Sequence, residues 1–90
     1  MKPRVIAEDG VSLSAVRSGV WVRIQRMQGG HRFLGRLASL GFTPGARLKV
    51  IQNFGNGPII VTLRDTRVAL GRGEARKILV KQLAGGDGGR

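Results

Sequence analysis

The sequence predicts a mainly β domain, a small barrel of about five short strands with one short helix inserted at about residues 31–40. Two observations lead to this expectation: short apolar runs separated by turn signals, and one segment whose apolar residues recur at a helical spacing. The chain has 90 residues, which is enough for one domain with a thin hydrophobic core. Little interior is left for a deep catalytic pocket.

The domain itself is expected to span residues 13–83. Residues 1–12 are expected to form a loosely held N-terminal arm, and Leu13 and Val16 indicate one helical turn that docks Leu13 on the core. Four of the 15 glycines lie in the last six residues, where there is nothing apolar to bury. Residues 84–90 are therefore expected to be a disordered tail.

The first strand is predicted at residues 20–26, where apolar and polar residues alternate. Val22 and Ile24 share the core face of this strand. Trp21 and Arg23 share the opposite face, which is expected to be less buried.

A short amphipathic helix follows, because four apolar residues recur at spacings of three and four, which places them on one face of a helix. These residues are Phe33, Leu34, Leu37 and Leu40. Gly41 is expected to end the helix in the left-handed conformation, with Phe42 in an apolar contact beyond it. Arg32 and Arg36 are four residues apart, so they are expected to share the exposed face of the helix.

The later strands are separated by turns with recognisable chemistry. Pro44 and Gly45 predict a type II turn, since proline presets φ at its second position and glycine allows a positive φ at its third. Further strands are expected around residues 48–50, 59–63, 68–70 and 78–80, and residues 71–76 are expected to turn. The predicted core consists of Leu13, Val22, Ile24, Leu37, Leu40, Leu48, Val50, Val61, Leu63, Val68, Ile78 and Val80.

Few residues are suited to catalysis or metal binding. The chain has no Cys and a single His, His31, and Ser39 is too far along the helix to be activated by it. Gly71 and Gly73 begin a Gly-x-Gly pattern, but Arg76 stands where a third glycine is needed. We therefore expect no enzyme activity, no cofactor, no catalytic residue and no metal site.

The charge balance indicates an acidic partner. Lys and Arg number 16 against five Asp and Glu, which gives a formal net charge of +11. Nucleic acid, an anionic membrane face and an acidic protein surface are the three classes of partner that such a charge favours. The longest apolar runs are only a few residues, so the chain is expected to carry no signal peptide and not to be embedded in a membrane.

The order of these motifs resembles the ferrous iron transport protein A family. The resemblance rests on Leu13, Gly19, Ile24, the Gly-Gly before the helix, the segment from Arg36 to Gly45, and the later stretches Val68-Ala69-Leu70, Glu74-Ala75 and Ile78-x-Val80. It implies an SH3-like barrel in the bacterial cytoplasm, beside a large ferrous iron permease whose cytoplasmic part includes a G-protein domain. The barrel also resembles the C-terminal domain of iron-dependent repressors.

Three functions are compatible with these features. The first is a non-enzymatic cytoplasmic adaptor that binds the permease, with Trp21, Arg23, Arg32 and Arg36 as its predicted contacts. The second is a basic SH3-like barrel that binds nucleic acid, which requires a continuous basic stripe with aromatic residues. The third, a regulatory domain that binds a peptide or metal, is disfavoured because acidic ligands are scarce.

Overall fold

The computed structural model describes residues 10–83, which form one six-stranded antiparallel sheet with short helices between its strands. The strands are β1 Val11–Ser12, β2 Trp21–Met27, β3 Arg47–Gln52, β4 Ile59–Leu63, β5 Thr66–Leu70 and β6 Ile78–Gln82. The helices are a 3-10 helix Leu13–Ala15, α1 His31–Ser39 and α2 Arg72–Arg76. The strand order is β1-β6-β2-β3-β4-β5, so the mainly β prediction with an inserted helix is confirmed.

The start of the described chain is a strand. Val11 and Ser12, which the sequence places in a loose arm, pair with Val80 and Leu79 of β6 and bring the strand count to six. Two residues with no alternating pattern give no periodic signal, which is why this strand is missed. The predictions for residues 1–9 and for the tail at 84–90 lie outside the described residues.

The segment 71–76 is also different from its prediction, because α2 replaces the expected turn. The Gly71 N–H donates to Glu74 Oε1 at 3.0 Å, which satisfies one of the backbone donors at the start of this helix. The helix then buries Ala75 in the core. Glycines at 71 and 73 suggest a turn, but the side chain of Glu74 stabilises a helical turn instead.

A single hydrophobic core lies on the inner side of the sheet. It contains ten of the predicted core residues together with Val16, Phe42, Ile59, Leu70 and Ala75. Val68 is only half-buried and packs against this core from its edge. The prediction for Leu40 is wrong, since this side chain is 36% exposed.

The end of α1 explains why Leu40 is exposed. Gly41 has a φ of +99°, and the Phe42 N–H donates to Leu37 O while the Gly41 N–H donates to Ala38 O, both at 2.9 Å. This is a Schellman motif, which turns the chain so that the residue after the glycine contacts the last buried turn of the helix. Phe42 therefore takes the core position beside Leu37, as the predicted cap contact requires, and Leu40 faces solvent.

A polar network fixes the segments that connect the strands. Asn53, in the loop after β3, donates from Nδ2 to Ser14 O and to Val16 O at 3.1 and 2.7 Å. Its Oδ1 accepts from the Gly55 N–H at 3.1 Å and from Arg72 Nη1 at 3.0 Å. Because Arg72 Nη2 also donates to Ser14 O at 2.9 Å, the 3-10 helix, the β3–β4 loop and α2 are held together.

Candidate interaction surface

The outer face of the sheet carries a row of cations across three strands. Arg23 on β2 lies opposite Lys81 of β6 on one side and opposite Arg47 of β3 on the other. Side chains opposite each other on neighbouring strands share a face and are close together. All three are exposed. Val22 and Ile24, which alternate with Arg23 along β2, are buried on the inner face.

A second row crosses four strands next to the first. Trp21 lies opposite Lys49 of β3, which lies opposite Thr62 of β4, which in turn lies opposite Arg67 of β5. Trp21 and Lys49 are half-buried and Arg67 is exposed. The two rows are adjacent along β2 and β3, so they form one continuous surface.

A β-bulge adds one more cation to this face. The register of β2 against β6 shifts between Ile24 and Arg26, so that Arg26 lies opposite Leu79. Leu79 is between the buried residues Ile78 and Val80 and therefore points outward, and so does Arg26. We call the resulting surface the basic face, and it comprises Trp21, Arg23, Arg26, Arg47, Lys49, Arg67 and Lys81.

The charged side chains of the basic face are all positive. Within residues 10–83 the acidic residues are Asp65, in the turn between β4 and β5, and Glu74, in α2, so neither is on the face. The guanidinium of Arg47 and the ammonium of Lys49 are 5.8 and 6.0 Å from the centroid of the Trp21 ring. Like charges directly opposite each other on a sheet are destabilising, so this arrangement is suited to binding rather than to folding.

The four predicted contact residues belong to two different surfaces. Trp21 and Arg23 are on the basic face, where Arg23 Nη1 also donates to Gly45 O at 3.2 Å. Arg32 and Arg36 are exposed on α1, as the helical spacing predicts. Arg36, however, forms an ion pair with Glu74 of α2, 38 residues away, which sequence periodicity cannot show.

The other cations of the basic face are missing from the sequence prediction. Arg47 and Lys49 flank the buried Leu48, and that alternation is a signal that could have placed them outward. Lys81 and Arg67 join them only through the strand order, and Arg26 only through the bulge. A pattern of alternation assigns a face to a strand but does not tell which strands are neighbours.

Metal ligands do not converge in this part of the chain. Within residues 10–83, no group of three or more His, Cys, Asp or Glu side chains could hold an ion together. His31 is an exposed residue at the start of α1. The absence of a tight Fe²⁺ site remains a prediction, which calorimetry on the purified protein can test. None of the helices described is long and apolar enough to cross a membrane.

The fold and the surface together define a class of protein, a small β-barrel domain with a basic outer face. The chain matches the model of the FeoA domain family over residues 11–82. It belongs to this family, which is involved in ferrous iron transport, and the resemblance seen in the sequence is confirmed.

Two relatives agree with this assignment. A Methanocaldococcus jannaschii protein named Fe(2+) transport protein A is 38% identical over 69 residues, which are 77% of this chain and 83% of that protein. The crystal structure of an iron uptake regulatory protein, FeoA, has a TM-score of 0.77 at 36% identity and covers 81% of this chain and 97% of its own. The small SH3-like barrel predicted from the sequence is thereby confirmed.

A second solved structure extends the likeness to a repressor. A manganese-dependent transcriptional repressor, in complex with manganese, has a TM-score of 0.74 at 28% identity. The match covers 91% of this chain but only 38% of the repressor, so the likeness concerns one part of that longer protein.

Proposed function

We propose that this chain is a non-catalytic accessory protein of ferrous iron uptake that binds the cytoplasmic, G-protein-containing part of a ferrous iron permease. Membership of the FeoA domain family and the relative named for Fe(2+) transport support a role in this pathway. The net charge of +11 supports an acidic surface on the partner. On this proposal the protein works in the cytoplasm, where the permease exposes that part.

The exposure of the segment that carries the family resemblance is the main support for a docking role. Residues 36–45 form the end of α1 and the turn that follows it, and only Leu37 and Phe42 of this segment are buried. The Schellman motif and the Arg36–Glu74 ion pair hold this exposed segment in place. A rigid exposed surface loses little entropy on binding, which favours recognition by a partner.

We assign the permease contact to α1, with Arg32 as a charged contact and Leu40 as its apolar anchor. Leu40 is one of the few large hydrophobic side chains exposed within residues 10–83, and it lies directly after the helix. The predicted anchor Trp21 is less suited to this contact, because it is half-buried and lies beside Arg47 and Lys49. Arg36 contributes mainly by fixing the position of α1 against α2.

Biolayer interferometry with the immobilised cytoplasmic region of the permease tests this proposal. R32E is expected to slow association and to flatten its salt dependence, because charges at the rim of an interface act mainly on the rate of encounter. L40A is expected to speed dissociation instead, because a desolvated anchor is lost. R76E makes the same change of charge on the exposed surface of α2 and is the matched control, with binding expected close to that of the wild type.

Two results would contradict the proposal. If R76E slows association as much as R32E does, the effect comes from net charge alone and α1 is not the contact. If the wild-type protein ignores the permease region but is retained on RNA or DNA at physiological salt, the nucleic-acid function takes the place of the adaptor function. A pull-down from lysate with and without nuclease separates the same two cases.

A further inference from the structure

We propose that the basic face binds the surface of an anionic phospholipid bilayer, independently of the permease contact on α1. The two surfaces are built from different elements, since the basic face lies on β2, β3, β5 and β6. Binding to the permease through α1 does not require this face, and binding to a bilayer through this face does not require the permease. Either proposal can therefore be wrong while the other is right.

The geometry of the charges suits a planar anionic surface. Five cations project from the same side of one sheet in two adjacent rows, and the bulge at Arg26 adds a sixth. Five of them are exposed, and the acidic residues within residues 10–83 are elsewhere. Lys and Arg held near an anionic leaflet each add to its attraction, so cations that can reach one plane together act cumulatively.

Apolar groups on and beside the face suit the interfacial region of a bilayer. Trp21 is the kind of amphipathic ring that is enriched at membrane–water interfaces, and Leu83 is next to it, with its N–H donating to Trp21 O at 3.0 Å. Phe54 is 75% exposed in the β3–β4 loop. The Asn53 N–H donates to Ser18 Oγ at 2.9 Å, which holds this loop at the end of the sheet where β2 begins.

A single-stranded nucleic acid fits the same face less well. Such ligands stack their bases on exposed aromatic rings, and Trp21 is the one aromatic residue on the basic face. Its ring is half-buried, and Arg47 and Lys49 lie close to it. A base would have to displace these side chains, whereas lipid headgroups need only the charge that the face already presents.

Vesicle co-sedimentation of the full chain, with no permease present, tests the inference. The probes are vesicles of equal parts phosphatidylcholine and phosphatidylglycerol, and vesicles of phosphatidylcholine alone. The wild-type protein is expected to bind the first and not the second, with binding that weakens as salt is raised. Each Lys or Arg near an anionic leaflet strengthens binding roughly fivefold, so R23Q/R47Q is expected to bind about 25-fold more weakly.

The matched control is R32Q/R76Q, which removes the same charge from the two helices and is expected to keep nearly all of the vesicle binding. Circular dichroism of each variant establishes that it is folded, and R23Q and R47Q can be tested singly if the double variant is not. Equal binding to both kinds of vesicle, or equal loss in the control, would overturn the inference. So would retention on nucleic acid at a salt concentration where the anionic vesicles are not bound.

Discussion

The segments that connect the strands and the outer face of the strands use polar residues in opposite ways. In the connections, the side chain of Asn53 makes four hydrogen bonds and that of Arg72 makes three, and Arg36 is paired with Glu74. On the basic face, cations lie opposite cations in register. Paired polar groups hold a fold together, whereas facing like charges weaken it slightly.

This difference separates stability from binding in a chain of one small domain. Changes to the residues that hold the connections in place, such as Gly41, Asn53 and Arg36, are expected to affect folding first and binding only through it. Changes on the basic face are expected to affect binding and to leave the fold nearly unchanged. Four substitutions, in order of decreasing effect, test how sharp this separation is.

Substitution of Gly41 by Val should have the largest effect. The residue has a φ of +99°, and a Cβ there would lie 2.7 Å from Leu63 Cδ2. Left-handed strain and the crowding of a core side chain together are expected to reduce the free energy of unfolding by about 2–4 kcal/mol. Gly35 is the matched control, because a Cβ there meets open space, and Gly35→Ala should raise stability by about 0.5–1 kcal/mol. Urea denaturation measures both, and an unchanged midpoint for Gly41→Val would mean that the Schellman motif is not needed.

Substitution of Asn53 by Ala should come next. It removes the hydrogen bonds that this side chain makes with Ser14 O, Val16 O and Arg72 Nη1 in a part-buried site, although Arg72 still donates to Ser14 O. The expected loss is about 1–3 kcal/mol. Asn56 is exposed in the same loop, so Asn56→Ala should change stability by less than about 0.5 kcal/mol. A similar effect for both would show that the loop, and not the network, matters.

The Arg36–Glu74 ion pair should have a smaller effect, because both side chains are partly exposed. Arg36→Ala is expected to cost about 0–1 kcal/mol. Arg36→Glu should cost more, because it places two carboxylates together. R36E/E74Q removes one of these carboxylates but keeps a side-chain oxygen that can accept from the Gly71 N–H, so it should restore most of the loss. If R36E/E74Q is no more stable than R36E, the side chains at positions 36 and 74 do not lie together in solution.

Arg47→Gln should have the smallest effect on folding and the opposite sign. Arg47 lies opposite Arg23, so removing its charge relieves repulsion between the two side chains. The free energy of unfolding is expected to rise by less than about 0.5 kcal/mol, which moves the midpoint of urea denaturation to a higher concentration. A clear loss of stability would show that the basic face supports the fold. Stability and binding would then not be divided between the connections and the outer face of the sheet.

Much of the fold follows from the sequence because its signals are local. The alternation at Val22 and Ile24, the helix at 31–40 and the left-handed Gly41 are each specified by residues that are neighbours along the chain. The candidate surface is less predictable because its two rows depend on which strands pair. The Arg36–Glu74 pair joins residues 38 apart in sequence, and no periodicity links them.

The bulge in β2 has a consequence for how this strand can tolerate changes of length. Gln25 is the extra residue between Ile24 and Arg26, which lie opposite the adjacent residues Val80 and Leu79. Deleting Gln25 would leave Ile24 inward, Arg26 outward and Met27 inward, whereas a deletion elsewhere in the strand would exchange its two faces. Gln25 is thus the position at which β2 can be shortened without turning its cations into the core, and relatives that lack one residue here can keep the same outer face.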